Sequence, residues 1–319
     1  MKAFVTGANG FTGSHLVKAL LQQGYSVTGL VRSYSNLSRL ANCDIELVYG
    51  DITDREALAR GMSDTDVVFH IAAYVEIGLV NEAKMERANV EGTKAVLEVA
   101  RDAAISKLVY CSTIGIYGNT EDKIADETFV RTQQDFDSAY DRSKYEAQQL
   151  VDRFAAEGLP VVSVMPVGIF GAGDSHFDPI VKLFLQKRLK FWLAGDRIIG
   201  IVRVEDLAQA MILAAAKSPA GEHYIISAGM LSTRELFAIF SEETGIAEPI
   251  ELPEWLARML GNGLDIVGRF FAWNPPLSRE RVRYLYDRSI RVDASKARQQ
   301  LGWQPRSVRE TLRELVMGN

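Results

Sequence analysis

Tyr140 and Lys144 stand four residues apart in Tyr140-Asp141-Arg142-Ser143-Lys144, so on a helix a phenol and an ammonium share one face. A phenol ordinarily releases its proton near pH ~10, and a neighbouring cation lowers that value toward a range useful for moving a proton to or from a reacting oxygen. Ser112-Thr113 follows the apolar run 108–111. A threonine hydroxyl at such a strand end can hydrogen-bond the same oxygen, whereas Ser112 reads as satisfying backbone groups. Tyr/Lys pairs at this spacing are common on solvated helices, so the reading depends on what else the chain brings near them.

The decisive companion lies at the start, in Val5-Thr6-Gly7-Ala8-Asn9-Gly10-Phe11-Thr12-Gly13. Three glycines at three-residue spacing let the backbone turn tightly beneath a pyrophosphate. The apolar run Ala3-Phe4-Val5 precedes them, and Leu16, Val17 and Leu20 follow at helical spacing, so a strand hands over to a helix whose free N–H groups and positive dipole end face an anion. Gly7, Asn9, Gly10, Phe11, Thr12 and Gly13 are therefore candidate dinucleotide contacts. The second strand, 27–31, ends in Arg32 where an NAD site usually carries an acid, so NADP(H) is expected, with NAD(H) beside a surface arginine as the alternative. Asp51 and Ile52 close the third strand, and Asp51 either accepts from the adenine amino group or caps the helix that begins near Asp54. Ala72 and Ala73 follow the fourth strand and leave room for the nicotinamide ribose. His70 reads as a packed core residue, and Lys144 can hold ribose hydroxyls as well as act on Tyr140.

These groups need a scaffold. Short apolar runs at 25–31, 45–49, 67–71, 108–111 and 161–165 alternate with helical patterns, which predicts an α/β fold with a parallel sheet wound on both faces by helices. The rhythm breaks after Pro166, at Gly168, Gly171, Gly173 and Pro179, where a second lobe is expected to begin. Ser232/Glu235 and Ser307/Glu310 read as capping boxes opening helices in that lobe. The apolar stretch 255–273 is expected to form small-lobe core, with a greasy substrate mouth or a membrane-surface patch as alternatives. A net charge of −5 gives no reason to expect nucleic acid or an acidic membrane as partner. Cys43 and Cys111 read as reduced thiols rather than a disulfide or zinc site, and no metal is expected. Lys2 leads straight into the first strand and no apolar run approaches the ~20 residues of a membrane span, so the cytoplasm is the expected compartment.

Thr6-Gly7-x-x-Gly10-x-x-Gly13, Asp51, Ser112-Thr113, Tyr140-x-x-x-Lys144 and Asn89-Val90-Glu91-Gly92-Thr93 together resemble the extended short-chain dehydrogenase/reductase family over essentially the whole chain. Pro166-Val167-Gly168-Ile169-Phe170-Gly171 with Asp174, and the 202–208 segment, resemble that family's markers for the nicotinamide pocket and second lobe. The resemblance implies a Rossmann-type domain over 1–166, to which 199–228 returns, and a smaller, mostly helical substrate lobe built mainly from 167–319. It implies Tyr140 as acid/base, Lys144 as its electrostatic partner, Thr113 as donor to the substrate oxygen, Pro166, Val167 and Ile169 at the nicotinamide, and Asn89 as a helix-kinking support. It also implies a homodimer through helices near 90–103 and 138–154. Ile114-Gly115 stand where the family's dehydratases carry Asp-Glu, which disfavours dehydration. The Arg32 strand end and the 293–303 tail look like the dihydroflavonol reductase and 3β-hydroxysteroid dehydrogenase branch. Met165 in place of an arginine, and Arg203 in place of a histidine or tyrosine, weaken a sugar-nucleotide assignment. The expected reaction is hydride transfer between NADP(H) and a ketone or secondary alcohol of a small-molecule substrate. An NDP-sugar 4-epimerase is the alternative, and a non-catalytic dinucleotide sensor would not be expected to keep both Tyr140 and Lys144.

Overall fold

The computed structural model describes residues 1–318. Seven parallel strands form the central sheet: Lys2–Thr6, Ser26–Val31, Glu46–Tyr49, Val67–His70, Lys107–Cys111, Val161–Pro166 and His223–Ile226, called first to seventh along the chain. Across the sheet they lie in the order third, second, first, fourth, fifth, sixth, seventh. The direction of winding reverses between the first and fourth strands, and a crevice opens there at the carboxyl ends. Register sets the height of that crevice, since Thr6 lies opposite His70 on one side and Leu30 on the other.

Successive strand residues point to opposite faces, and both faces are buried, which is why the strands read as unbroken apolar runs. Ala3, Val5, Val67 and Phe69 pack with Leu16 and Leu20 of helix Phe11–Gln22 and with Leu207 and Met211 of helix Val204–Lys217. Phe4, Val68 and Leu108 face the other way, onto helices Arg55–Met62, Gly92–Asp102 and Ala139–Ala156. Phe4 meets Gly61 so closely that a Cβ at 61 would fall on its ring. This is a Rossmann-type fold.

Past Pro166 the chain builds a second layer. Strand Ile198–Arg203 pairs in parallel with Gly168–Phe170 and antiparallel with Gly229–Ser232. Helices Asp178–Leu185, Thr233–Thr244 and Val308–Met317 share a core of Phe184, Trp192, Phe237, Phe240 and Leu312. The boxes at Ser232/Glu235 and Ser307/Glu310 both form.

The stretch 255–273 departs from the core reading. It forms helix Glu254–Phe270 and the turn after it, but the side chains it buries are Ala257 and Asp265, beside Gly261 and Gly268. Trp255, Met259, Ile266, Phe270 and Phe271 face solvent. The reason is steric: the helix approaches its neighbours through its smallest residues. A Cβ at Gly261 would lie 2.6 Å from Val282 Cγ2, and one at Gly268 would lie 2.6 Å from the Trp273 carbonyl oxygen.

Candidate active site

A cavity of about 1260 Å³ opens at the carboxyl ends of the sheet and runs into the second layer. Gly7, Asn9, Gly10, Phe11, Thr12 and Gly13 line one end of it. Gly7 has φ +71°, and a Cβ there would sit 2.9 Å from Ala72 Cα; a Cβ at Gly13 would fall on the Gly7 carbonyl oxygen. Only glycine lets the loop, the fourth-strand end and the following helix close together this tightly. Helix Phe11–Gln22 begins with neither a side-chain cap nor an acid in its first turn, so its N–H groups and dipole are left for an anion. Thr6 ties the cradle to the fourth strand, accepting from the N–H groups of Ile71 and Ala72 at 3.2 Å each while its Oγ1 bonds His70 Nδ1 at 2.8 Å. These features fit a dinucleotide pyrophosphate.

Arg32, Asp51, Ile52, Ala72 and Ala73 continue the same wall. The Arg32 guanidinium is exposed and stacks 4.9 Å over the Tyr34 ring. Asp51 Oδ1 accepts from the Thr53 N–H and hydroxyl and lies 3.7 Å from Arg87; the helix cap is Asp54, whose carboxylate accepts from Ala57 N–H, so the capping alternative for Asp51 does not hold. His70 is fully buried between Thr6 and Thr93, and burial first, then Lys144, pulls its pKa down to about 3; it is a neutral core residue.

Thr113, Tyr140, Lys144, Pro166, Val167 and Ile169 meet in the middle of the cavity. Ser138 caps helix Ala139–Ala156 by accepting from Asp141 N–H, which fixes the first turn that carries Tyr140. Buried Asn89 sits where the preceding helix loosens into π geometry over Arg87–Glu91; it bonds both backbone groups of Tyr74 and donates to Ser143 Oγ at 2.9 Å. Thr113 Oγ1 accepts from Gly115 N–H, so its own proton is free for the cavity.

The chain's first 227 residues decide the family: residues 3–227 match the NAD-dependent epimerase/dehydratase family. The chain belongs to that family. A ketoreductase of Stigmatella aurantiaca named for 4-hydroxy-2-methyl-3-oxo-4-farnesyl-3,4-dihydroquinoline-1-oxide is 32% identical, over 95% of this chain and 92% of its own. Among solved structures, gox2253 superposes with a TM-score of 0.84 at 27% identity, over 99% of this chain and 96% of that one. The Thermus thermophilus UDP-glucose 4-epimerase in complex with NAD shares the fold, with a TM-score of 0.78, 24% identity and coverage of 99% and 98%.

Within this epimerase/dehydratase scaffold several expectations need revision. The lowering of the Tyr140 pKa expected from Lys144 is absent: burial, then Tyr284 and Asp141, push the phenol upward. Lys144, itself buried and brought down to about 8 by that burial, donates to the Tyr110 hydroxyl at 2.7 Å and the Cys111 carbonyl at 2.8 Å. Tyr140 is thus held in its neutral, protonated form at neutral pH. Ser112 departs from its expected part: Thr113 Oγ1 accepts a backbone N–H and keeps its own proton, while the Ser112 hydroxyl is buried with no partner among the described residues. Gly115 leaves no room for a dehydratase-type acid, since a Cβ there would lie 2.5 Å from Asp141 Oδ1 and 2.9 Å from Arg288 Nη2, which pair at 3.1 Å. Met165 is buried with its sulfur 3.6 Å from the Tyr117 hydroxyl, and Arg203 pairs with Glu205 and Glu314, so both departures are explained by packing and surface pairing.

The polar end of the cavity's far half was not legible in the sequence. Ile180, Leu189, Trp192, Phe237 and Leu285 make that half apolar, and Arg197, Tyr284 and Arg288 give it a polar end. The Arg288 guanidinium stacks 4.1 Å over Tyr284 and pairs with Asp141. The Arg197 guanidinium lies 5.1 Å over the same ring and, among the described residues, makes neither a hydrogen bond nor an ion pair. Burial lowers its pKa, and the charges of Tyr284 and Asp141 offset only part of that. No motif flags these residues, which come from separate loops and helices.

Proposed function

We propose that the protein is an NADP(H)-dependent oxidoreductase that interconverts a ketone and a secondary alcohol on a medium-sized, largely apolar substrate. The observation that carries this reading is the single cavity joining the glycine cradle, the Thr113/Tyr140/Lys144 cluster and an apolar far half. The similarity to a ketoreductase whose named substrate carries a farnesyl chain supports the same chemistry and the same kind of substrate. Gly7 to Gly13 would hold the pyrophosphate, Arg32 the 2′-phosphate, Asp51 and Ile52 the adenine side, and Lys144 the nicotinamide ribose. The bound nicotinamide supplies or accepts the hydride.

In the reducing direction Tyr140 gives its proton to the carbonyl oxygen as that oxygen gains charge. Burial, which raises its pKa, keeps it protonated at neutral pH. Thr113 donates to the same oxygen and steadies it. Lys144 keeps a positive charge next to this site only below about pH 8. Dehydration lacks an acid at 114–115. Epimerisation of a nucleotide sugar remains the second reading, favoured by the fold shared with UDP-glucose 4-epimerase; it calls for a nucleotide that stays bound through purification and turnover.

Tyr140→Phe tests the assignment. It should leave NADPH affinity within about twofold and cut kcat on ketone substrates by roughly 10³, read by NADPH absorbance and by titration calorimetry. A variant as active as the parent removes Tyr140 from the mechanism.

A further inference from the structure

Helix Glu254–Phe270 is amphipathic in an inverted sense: its small residues face the protein and its bulky apolar residues face out. Ala257, Gly261 and Gly268 pack inward, while Trp255 is 65% exposed, Ile266 70%, Phe270 82% and Phe271 70%. Trp255, Met259, Ile266 and Phe270 follow one another at four, seven and four residues, so they lie on one side of the helix, with Phe271 just past its end. Arg258 and Arg269 border it, each held by an i,i+4 carboxylate on the same helix. Leaving aside Arg288, which is buried in the cavity, residues 254–287 hold five arginines against four carboxylates in a chain whose net charge is −5. Arg283, on the neighbouring helix Arg279–Tyr286, is exposed as well.

Both ends of this face connect to the walls of the cavity. Ile250, exposed and four residues before the helix begins, pairs in register with Phe191, which lines the cavity and is itself exposed. Beyond the helix, Asn274 accepts from Leu79 N–H and donates to Glu76 and the Ile77 carbonyl, clasping the loop whose first residues, Tyr74 and Val75, also line the cavity.

We propose that this helix docks the protein on the surface of an anionic lipid bilayer, its apolar face in the acyl boundary and its arginines among the headgroups. No helix of the described residues is long and apolar enough to cross a membrane, so the contact is peripheral. The local excess of arginine in an acidic chain favours anionic headgroups over a second copy of the same surface, which would bring like charges together. Docking would hold two cavity-lining segments against the lipid, a route for an apolar substrate that never crosses bulk water.

The experiment is flotation of the full-length protein with phosphatidylcholine vesicles, with and without phosphatidylglycerol, together with tryptophan emission. The protein should float with the anionic vesicles, less at high salt, and the emission of Trp255 and Trp273 should shift to the blue. Ile266→Ser/Phe270→Ser/Phe271→Ser should lower partitioning about tenfold or more while keeping the parent's circular dichroism and NADPH affinity. Absence of flotation, equal flotation of the triple variant, or equal flotation with neutral vesicles would each overturn the proposal. So would light scattering that shows a dimer which the triple variant splits into monomers, because a second copy would then cover the face.

Discussion

The half of the cavity assigned to the dinucleotide is walled mainly by backbone and small residues, and the half assigned to the substrate by side chains from distant segments. In the first, Gly7, Gly10, Gly13, Ala72 and Ala73 shape the space, and uncapped N–H groups at a helix start are left to meet a ligand's charge. In the second, Trp192, Phe237, Tyr284 and two arginines shape it, and the polar groups are side chains on separate elements. A wall of backbone tolerates almost no added atom but needs few particular side chains. A wall of side chains can be repacked, with its specificity changing as it is. Substitutions in the two halves should therefore fail in different ways, and the differences can be ranked.

The largest effect belongs to the backbone wall. Gly13→Ala places a methyl on the Gly7 carbonyl oxygen, and neither loop nor helix can yield without spoiling the cradle. Overpacking of this kind costs about 1–3 kcal/mol, occasionally more, so NADPH affinity should fall roughly 100-fold and the melting temperature should drop. Calorimetric titration and a thermal melt read both. Unchanged affinity would mean that the ligand's phosphates lie elsewhere, and the contrast between the halves would fail at its stronger side.

Next comes Arg197→Met, which removes the unpaired cation of the side-chain wall and keeps its length. An ionic hydrogen bond to a substrate acceptor contributes about 1.5–3 kcal/mol, so KM for the preferred substrate should rise between ten- and a hundredfold, with NADPH affinity unchanged. Loss of cofactor affinity instead would show that the two halves are coupled more closely than their construction suggests.

Legibility in the sequence follows the same division. The loop, Asp51, Thr113, Tyr140 and Lys144 were readable because backbone turns and helix faces fix residue type and spacing over short stretches, and all of them line one cavity. The alternating strands were readable because both sheet faces are buried. Arg197, Tyr284 and Arg288 were not, since tertiary packing alone brings 197 beside 284 and 288. The direction of the Tyr140 shift was also out of reach, because it depends on burial and on Tyr284. For helix Glu254–Phe270 the apolar count suggested core, but the glycines decided which face turned inward.

Arg32→Ala sharpens the comparison at the outer edge of the first half, where a side chain rather than backbone carries the discrimination. The guanidinium is solvent-exposed, so its contact with a 2′-phosphate is partly screened, and a preference of about tenfold is the expected size. NADPH should lose that factor while NADH affinity stays level. Equal affinities for both cofactors in the parent, with an indifferent variant, would assign the site to NAD(H).

The smallest effect tests the seam between the halves. Ser112 follows the fifth strand, its backbone N–H spent on the Val164 carbonyl, and its hydroxyl is buried beside the cavity without a partner. A buried hydroxyl left unsatisfied costs about 1–3 kcal/mol, a cost the fold bears when no ligand is bound and that a hydrogen bond to cofactor or substrate would relieve. Ser112→Ala removes both the cost and the bond, so the ligand-free protein should melt slightly higher, by roughly 1–2 °C for a chain of this size, and turnover should fall a few-fold. Opposite signs in the two readouts are what distinguish a ligand-directed hydroxyl from a packing defect. A variant that is both more stable and as active as the parent would reduce Ser112 to an imperfection of the strand end, and Thr113 would carry the hydroxyl chemistry alone.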